Sequence, residues 1–582
     1  MGDHGGGASG SQYHGRLELT WTNKEQALLW SEDGSYRWVS PADYRIAEVR
    51  LLHEAGEVGE VGPLSRRAAD NLLIRGDALN ALTSLARIPE FQRHYLGKVK
   101  LAYLDPPFNT QQAFEHYDDA LEHSVWLTMM RDRLVQIKRL LREDGSVWVH
   151  LDQREVHYAK IVMDEVFGRA NFAGEVIWRA ADSSNNDAKQ FSVDHNTLLV
   201  YGQQPGWLST ALPRNEDDNS HYRNPDNDVR GPWFPGNVSS PNPRDNLRFV
   251  IDASFGWKGT PIPPPANGWR WQESTMHEKI ESGEVVLRED EPGKPRLLRK
   301  TYLADQLGLA PSSLWDDIEV TGHNRQAKYE LKKLFPGLQT AELFKTPKPE
   351  RLLRRVLQVA SSSGDIVLDC FLGSGTTAAV AHKLGRRWVG VERSADALTT
   401  FAIPRLEKVV TAHDPGGITS AVGWQGGGGF RILDVAPSMF VESRGAVVLA
   451  EWAVNGQLAE ATAAQLGYEF RFDPPFCGSK GRSLLAVVDG LITSEVVELI
   501  AASLEPSERV VICGTAVAAD ADSALKAVSP GSRVRRIPAS ILADYRLATR
   551  RFFHSREIPA LQPNLDPNGS PTVKPPAEAA HS

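Results

Sequence analysis

Three cysteines in 582 residues, Cys370, Cys477 and Cys513, stand too far apart for a disulfide framework or a zinc spacing. That usage fits a reducing cytoplasm, and no bound metal is expected. No apolar run reaches the ~20 residues of a membrane-spanning helix, so no membrane association is expected. Met1 to Gln12 is Gly- and Ser-rich and lacks the basic start and apolar core of a secretory signal. Positive charge is scarce overall, with 65 Lys and Arg against 73 Asp and Glu, so composition does not announce a nucleic-acid partner. Locally the balance reverses: nine Lys or Arg face three Glu between His323 and Arg355. That stretch either faces phosphate or is a solvated helix surface.

The 41% hydrophobic and 24% charged content are those of a globular protein, and the length calls for about two to four domains. Strand and helix patterns alternate from Asn71 to about Gly202 and resume with a helix near Pro349–Ser361. This rhythm predicts an α/β fold with a doubly wound, Rossmann-like sheet. Between the two blocks, residues 203–337 are rich in Pro, Gly and Asn, lack periodicity, and carry six of the fifteen Trp. So long an irregular insert is expected to be a domain or a binding surface. The expected organisation is an N-terminal extension (1–70, partly disordered) and a first α/β part (71–202). The insert (203–337) and a second α/β part (338–412) follow. A glycine-marked linker (413–439), a small C-terminal α/β domain (440–556) and a disordered tail (557–582) complete the chain.

Two constellations carry chemistry. The first, Leu368 to Thr377, follows a strand and opens a helix. Gly373 and Gly375 let backbone approach a ligand closely, and the helix start favours negative charge. Asp369 at the strand end can meet an ammonium group; Ser374, Thr376 and Thr377 add hydroxyls. Glu392 ends the next strand, placed to accept ribose hydroxyls. A lone Gly-x-Gly is weak evidence; the acids at both strand ends strengthen it. The second is Asp105-Pro106-Pro107-Phe108, directly after Val99–Leu104, which reads as a buried strand. The prolines stiffen the backbone, Asp105 offers an acceptor, and Phe108 offers a stacking face. An aromatic amino group needs such an arrangement: hydrogen bonds accepted from its N–H groups make the nitrogen more nucleophilic. The same four letters recur at Asp473–Phe476, but no buried strand pattern or glycine turn accompanies them, and this copy reads as a simple turn.

Together, Asp105-Pro-Pro-Phe108 and Asp369-x-Phe-x-Gly-Ser-Gly-Thr-Thr377 resemble the amino-group DNA methyltransferases, in the β-class order. Leu73–Leu82, Leu314–Ile318 and Phe344–Glu350 further resemble type III restriction–modification modification subunits. The resemblance implies a methyltransferase sheet interrupted by a target-recognition region at 203–337. It implies S-adenosylmethionine as cofactor and methylation of adenine N6 in flipped-out duplex DNA. It assigns Asp105, Pro106, Pro107 and Phe108 to the target base. Asp369, Phe371, Gly373 and Gly375 go to the methionine end of the cofactor, Ser374, Thr376 and Thr377 to the cofactor site, and Glu392 to its ribose. Asp77 is assigned to its adenine; Lys348 and Pro349 flank its pocket. A homodimer and a helicase–nuclease restriction partner are also implied. Leu372 stands where a small residue is usual, which is expected to narrow the pocket. Competing readings are a methyltransferase of RNA or protein, or an inactive interaction protein retaining the fold.

Overall fold

The computed structural model describes residues 18–30, 36–109, 122–291, 294–306 and 308–554. The disorder expected of residues 1–12 and 557–582 lies outside them. The chain divides into two compact units, Ser209–Ser312 and the remainder.

The larger unit is built on ten strands. In chain order they are β1 (Leu52–Gly59), β2 (Asn71–Arg75), β3 (Val99–Leu104), β4 (Leu141–Leu151), β5 (Phe172–Arg179), β6 (His195–Gly202), β7 (Leu314–Trp315), β8 (Ile366–Asp369), β9 (Arg387–Glu392) and β10 (Gly429–Val435). Their order across the sheet is β7-β5-β6-β4-β3-β8-β9-β2-β10-β1. From β4 to β10 every neighbour pair is parallel; β6 and β1 are antiparallel to their neighbours. The central strands are apolar on both sides because both faces are covered: Leu72, Leu73 and Ile74 are all fully buried. One face packs against α1 (Ala78–Arg87), α2 (His123–Leu140) and α3 (Val156–Phe167). α5 (Glu350–Ala360), α6 (Thr376–Lys383) and α7 (Ile403–Val410) serve the other face. The sheet is doubly wound, as the sequence rhythm predicts. The chain leaves β8 for β9 in one direction and β3 for β4 in the other. The carboxyl ends of β3 and β8 therefore flank the switch point where open α/β sheets bind ligands.

Two expected boundaries move. The stretch 413–439, read as a linker, contains β10, which pairs with β2 and β1 inside the main sheet. Its glycines serve close approach rather than slack. A Cβ on Gly429 would sit 2.5 Å from the carbonyl oxygens of Val58 and Glu60. The C-terminal region forms its own five-stranded sheet. Its helical core nevertheless merges with Tyr44, Val49 and Leu51 in one hydrophobic cluster. The Gln465 side chain clamps the Val49 backbone, accepting from N–H at 3.0 Å and donating to C=O at 2.7 Å. The second Asp-Pro-Pro-Phe copy is a turn between antiparallel strands Glu469–Asp473 and Phe476–Lys480.

The smaller unit holds a three-stranded sheet of Trp233–Gly236, Val285–Glu291 and Lys294–Tyr302. Its apolar core includes Val238, Ile251, Ile262, Trp269 and Met276. It is narrower than 203–337 because the flanks join the larger unit. Trp207 and Trp315 both pack on Trp148 of β4, with ring centroids 6.3 and 6.1 Å apart. The helix α4 (Asn324–Leu334) buries Leu331 and Leu334 against Phe344, Ala397 and Phe401.

Candidate functional site

At the ends of four adjacent parallel strands stand Asp105 (after β3), Asp369 (ending β8), Glu392 (ending β9) and Asp77 (after β2). The first three line one cavity.

On the β8 side, the turn is held from within. Gly373 N–H donates to Glu392 Oε2 and Ser394 N–H to Glu392 Oε1, both at 2.8 Å. Gly373 and Gly375 take left-handed φ of 51° and 80°. A Cβ on Gly373 would meet the Phe344 ring at 3.0 Å. Phe371 N–H caps Asp369 Oδ1 at 2.9 Å. Burial raises the Asp369 carboxyl to about 7; the Thr377 and Phe371 hydrogen bonds oppose this, and the charges of Asp105 and Glu392 add to it. Burial likewise raises Glu392 against three backbone N–H bonds. Leu372 lines the cavity and is accommodated by Gly390 of β9, where a Cβ would come within 2.7 Å of it.

Behind the turn lies a buried ion network. Arg405 of α7 donates to Thr376 Oγ1 at 2.7 Å and to Glu350 Oε1 at 2.9 Å. Glu350 also receives Lys383 at 2.7 Å and Ile418 N–H at 2.9 Å, and Lys383 pairs with Asp414 at 2.6 Å. All four ionised side chains are almost fully enclosed.

On the β3 side, Lys348 Nζ donates to both Asp105 oxygens, at 2.7 and 2.6 Å, and lies 4.8 Å from the Phe108 ring centroid. Trp126 Nε1 donates to the Pro107 carbonyl at 2.7 Å, pinning the proline pair to α2. Phe108 backs onto His150, which is fully buried between Tyr103 Oη (2.8 Å) and Asn196 Nδ2 (2.9 Å). Burial, with the charge of Lys348, holds the His150 imidazole far below its ordinary pKa and hence neutral.

Of the residues singled out from the sequence, Asp105, Pro106, Pro107, Phe108, Lys348, Asp369, Phe371, Gly373, Ser374, Thr376, Thr377 and Glu392 line this cavity. Gly375 stands one step behind the wall as the left-handed N-cap of α6. Pro349 caps α5. Asp77 caps α1, accepting Leu79 N–H at 2.8 Å, and pairs with Arg133 at 2.9 Å; it is not part of the cavity lining. Sequence reading missed Tyr103, Ser394 and Ala397 in the wall, and Arg405 and Glu350 behind it. Tyr103 carries an available signal, a hydroxyl near the end of a largely apolar strand.

The strand order and the glycine turn define a doubly wound α/β protein with one cavity at the carboxyl ends of its central parallel strands. The DNA methylase family profile matches residues 99–402, and the chain belongs to that family. It is 47% identical over 317 residues to the type II methyltransferase M1.MboII of Moraxella bovis, covering 53% of this chain and 90% of that protein. It is 30% identical over 442 residues to the probable type III restriction–modification enzyme HindVI Mod subunit of Haemophilus influenzae, covering 65% of this chain. The match spans 56% of the HindVI subunit's length and 49% of that of the StyLTI Mod subunit of Salmonella typhimurium. A solved structure, the PvuII DNA methyltransferase (cytosine-N4-specific), aligns at a TM-score of 0.32 and 15% identity over 61% of this chain and 94% of its own. No helix among the described residues is long and apolar enough to cross a membrane.

Proposed function

We propose that the chain is a site-specific DNA methyltransferase acting on adenine N6 in duplex DNA, as the modification subunit of a type III-like restriction–modification system. The observation that supports this most is the convergence of Asp105 and Asp369, from neighbouring strands, on one cavity. The residues fit S-adenosylmethionine: a carboxyl stands where an ammonium group would dock, beside a glycine turn in which a Cβ on Gly373 would press on the Phe344 ring of the cavity wall. When bound, that cofactor supplies an electrophilic sulfonium methyl group. Asp369 pairs with its ammonium, and the Gly373–Gly375 turn admits its methionine end. Phe108 stacks against the flipped base. Asp105 would accept from the base's amino group and localise the nitrogen lone pair toward that methyl; the N–C bond would form as the S–C bond breaks, S-adenosylhomocysteine would leave, and the amino proton would be lost, with no covalent bond to the enzyme. Lys348 occupies Asp105 in this structure and gives way to that amino group.

An aspartate at position 105 and the match to Mod subunits favour adenine over cytosine N4. The reading includes cytoplasmic action, target recognition by the insert, a homodimer and a restriction partner. Mass spectrometry of nucleosides from unmodified DNA treated with the enzyme and S-adenosylmethionine tests it. N6-methyladenine is expected; N4-methylcytosine alone overturns the adenine assignment.

A further inference from the structure

The helix α4 sorts its charges by face. Its single acid, Glu330, points inward and accepts Glu350 N–H at 3.0 Å. It is buried with Ala327, Leu331 and Leu334, and burial together with the charge of Glu350 raises it to about 7. Arg325, Lys328 and Lys333 point outward, around a tyrosine, Tyr329, that is 61% exposed. Arg325 has a carboxylate neighbour in Asp182 at 2.7 Å. Among the described residues Lys328 and Lys333 have none. The inner face of the helix packs on Phe344 and Ala397, both of which also line the cavity. An uncompensated cationic surface with an exposed phenol is thus rigidly attached to the wall of the site.

In a chain with 73 acids against 65 bases, Lys328 and Lys333 stand with an exposed phenol on one helix face whose other face packs on the cavity wall. A polyanion lying across that surface would complement it, and phosphate oxygens accept from both ammonium and phenol donors. We infer that the outer face of α4, through Lys328, Tyr329 and Lys333, binds the sugar–phosphate backbone of the duplex that carries the target base. The inference rests on the proposed DNA substrate. The contacts are non-specific: they add affinity and register without reading sequence.

The experiment measures binding of the full chain, wild type and the Lys328→Ala/Lys333→Ala variant, to cognate and unrelated duplexes over a range of salt concentration. Each phosphate contact contributes about 0.9 to the slope of log K against log salt. The variant's slope is expected to be shallower by about 2, and its affinity for both duplexes to fall by the same factor. Its melting midpoint and S-adenosylmethionine affinity are expected to match wild type, since both side chains project from the outer face. Wild-type binding with an unchanged slope in the variant overturns the surface while leaving the DNA reading intact. A selective loss for the cognate duplex also overturns it, because it would mean base readout. A wild-type chain that neither binds nor methylates DNA overturns the substrate reading and this inference together.

Discussion

Individual residues make the sharpest claims. Asp105 and Asp473 open identical tetrapeptides, one at the cavity and one in an exposed hairpin turn. Asp105→Ala is expected to lower methyl transfer by orders of magnitude while S-adenosylmethionine affinity stays within a few-fold of wild type. Asp473→Ala should leave turnover near wild type; equal losses in a methylation assay would show that strand context does not distinguish the copies. Asp369 predicts a pH dependence. Unfolded, its carboxyl ionises near pH 4; folded, near 7. Between these values the folded chain keeps a proton that the unfolded chain has lost, so this group's contribution to stability falls as pH rises from about 4 to 7 and is flat above. Docking of an ammonium favours the ionised form, so cofactor affinity should climb with pH up to about 7, with proton release. Calorimetry in buffers of different ionisation heat should find that release in wild type and not in Asp369→Asn; its absence from wild type removes Asp369 from the cofactor site. These acids were legible in the sequence because strand-end position is a local property. The Lys348–Asp105 pair was not, since its members lie 243 residues apart and spacing carries no record of it.

Among elements, the cofactor turn depends on a helix that follows it by a full strand. Arg405 of α7 reaches Thr376 and Glu350 in surroundings that exclude water almost completely. Removing one member of such a network leaves a charge without its partner, at a typical cost of about 3–5 kcal/mol. Arg405→Met is therefore expected to lower the melting midpoint and raise the KM for S-adenosylmethionine more than it lowers kcat, with Arg405→Lys recovering part of the KM. A variant that melts earlier with an unchanged KM would make the network structural only. The strand Val99–Leu104 and the helix near Pro349–Ser361 were legible in the sequence because apolar periodicity marks buried runs directly. β10 escaped because its glycine run has the composition of a linker. The reason for those glycines is the approach of β1, a segment some 370 residues earlier in the chain.

For the molecule as a whole, the insert is separable where the sequence placed it only roughly. Leu212 and Leu309 exchange backbone hydrogen bonds of 2.8 and 2.9 Å, so the two ends of the smaller unit lie side by side. Replacing Ser209–Ser312 with a short Gly-Ser linker should leave a folded chain that binds S-adenosylmethionine by calorimetry but no longer methylates a defined site. Loss of cofactor binding in a folded deletion would show that the insert completes the cofactor site. For the intact chain, light scattering is expected to give twice the chain mass; a monomer with and without DNA refutes the dimer.

The interleaving of the sheet has a consequence for how the protein is made. β8 and β9 lie between β3 and β2, although the ribosome delivers both outer strands long before the inner pair. At about 5–20 residues per second, the roughly 260 residues between Asp105 and Asp369 take on the order of 10–50 s to emerge. Throughout that interval β4 can already pair with one edge of β3, but the edges of β2 and β3 that face the missing pair stay apolar and without a partner. A chain that terminates early inside the insert would thus be a sticky half-sheet, and the cavity is complete only in chains that have passed Ala397.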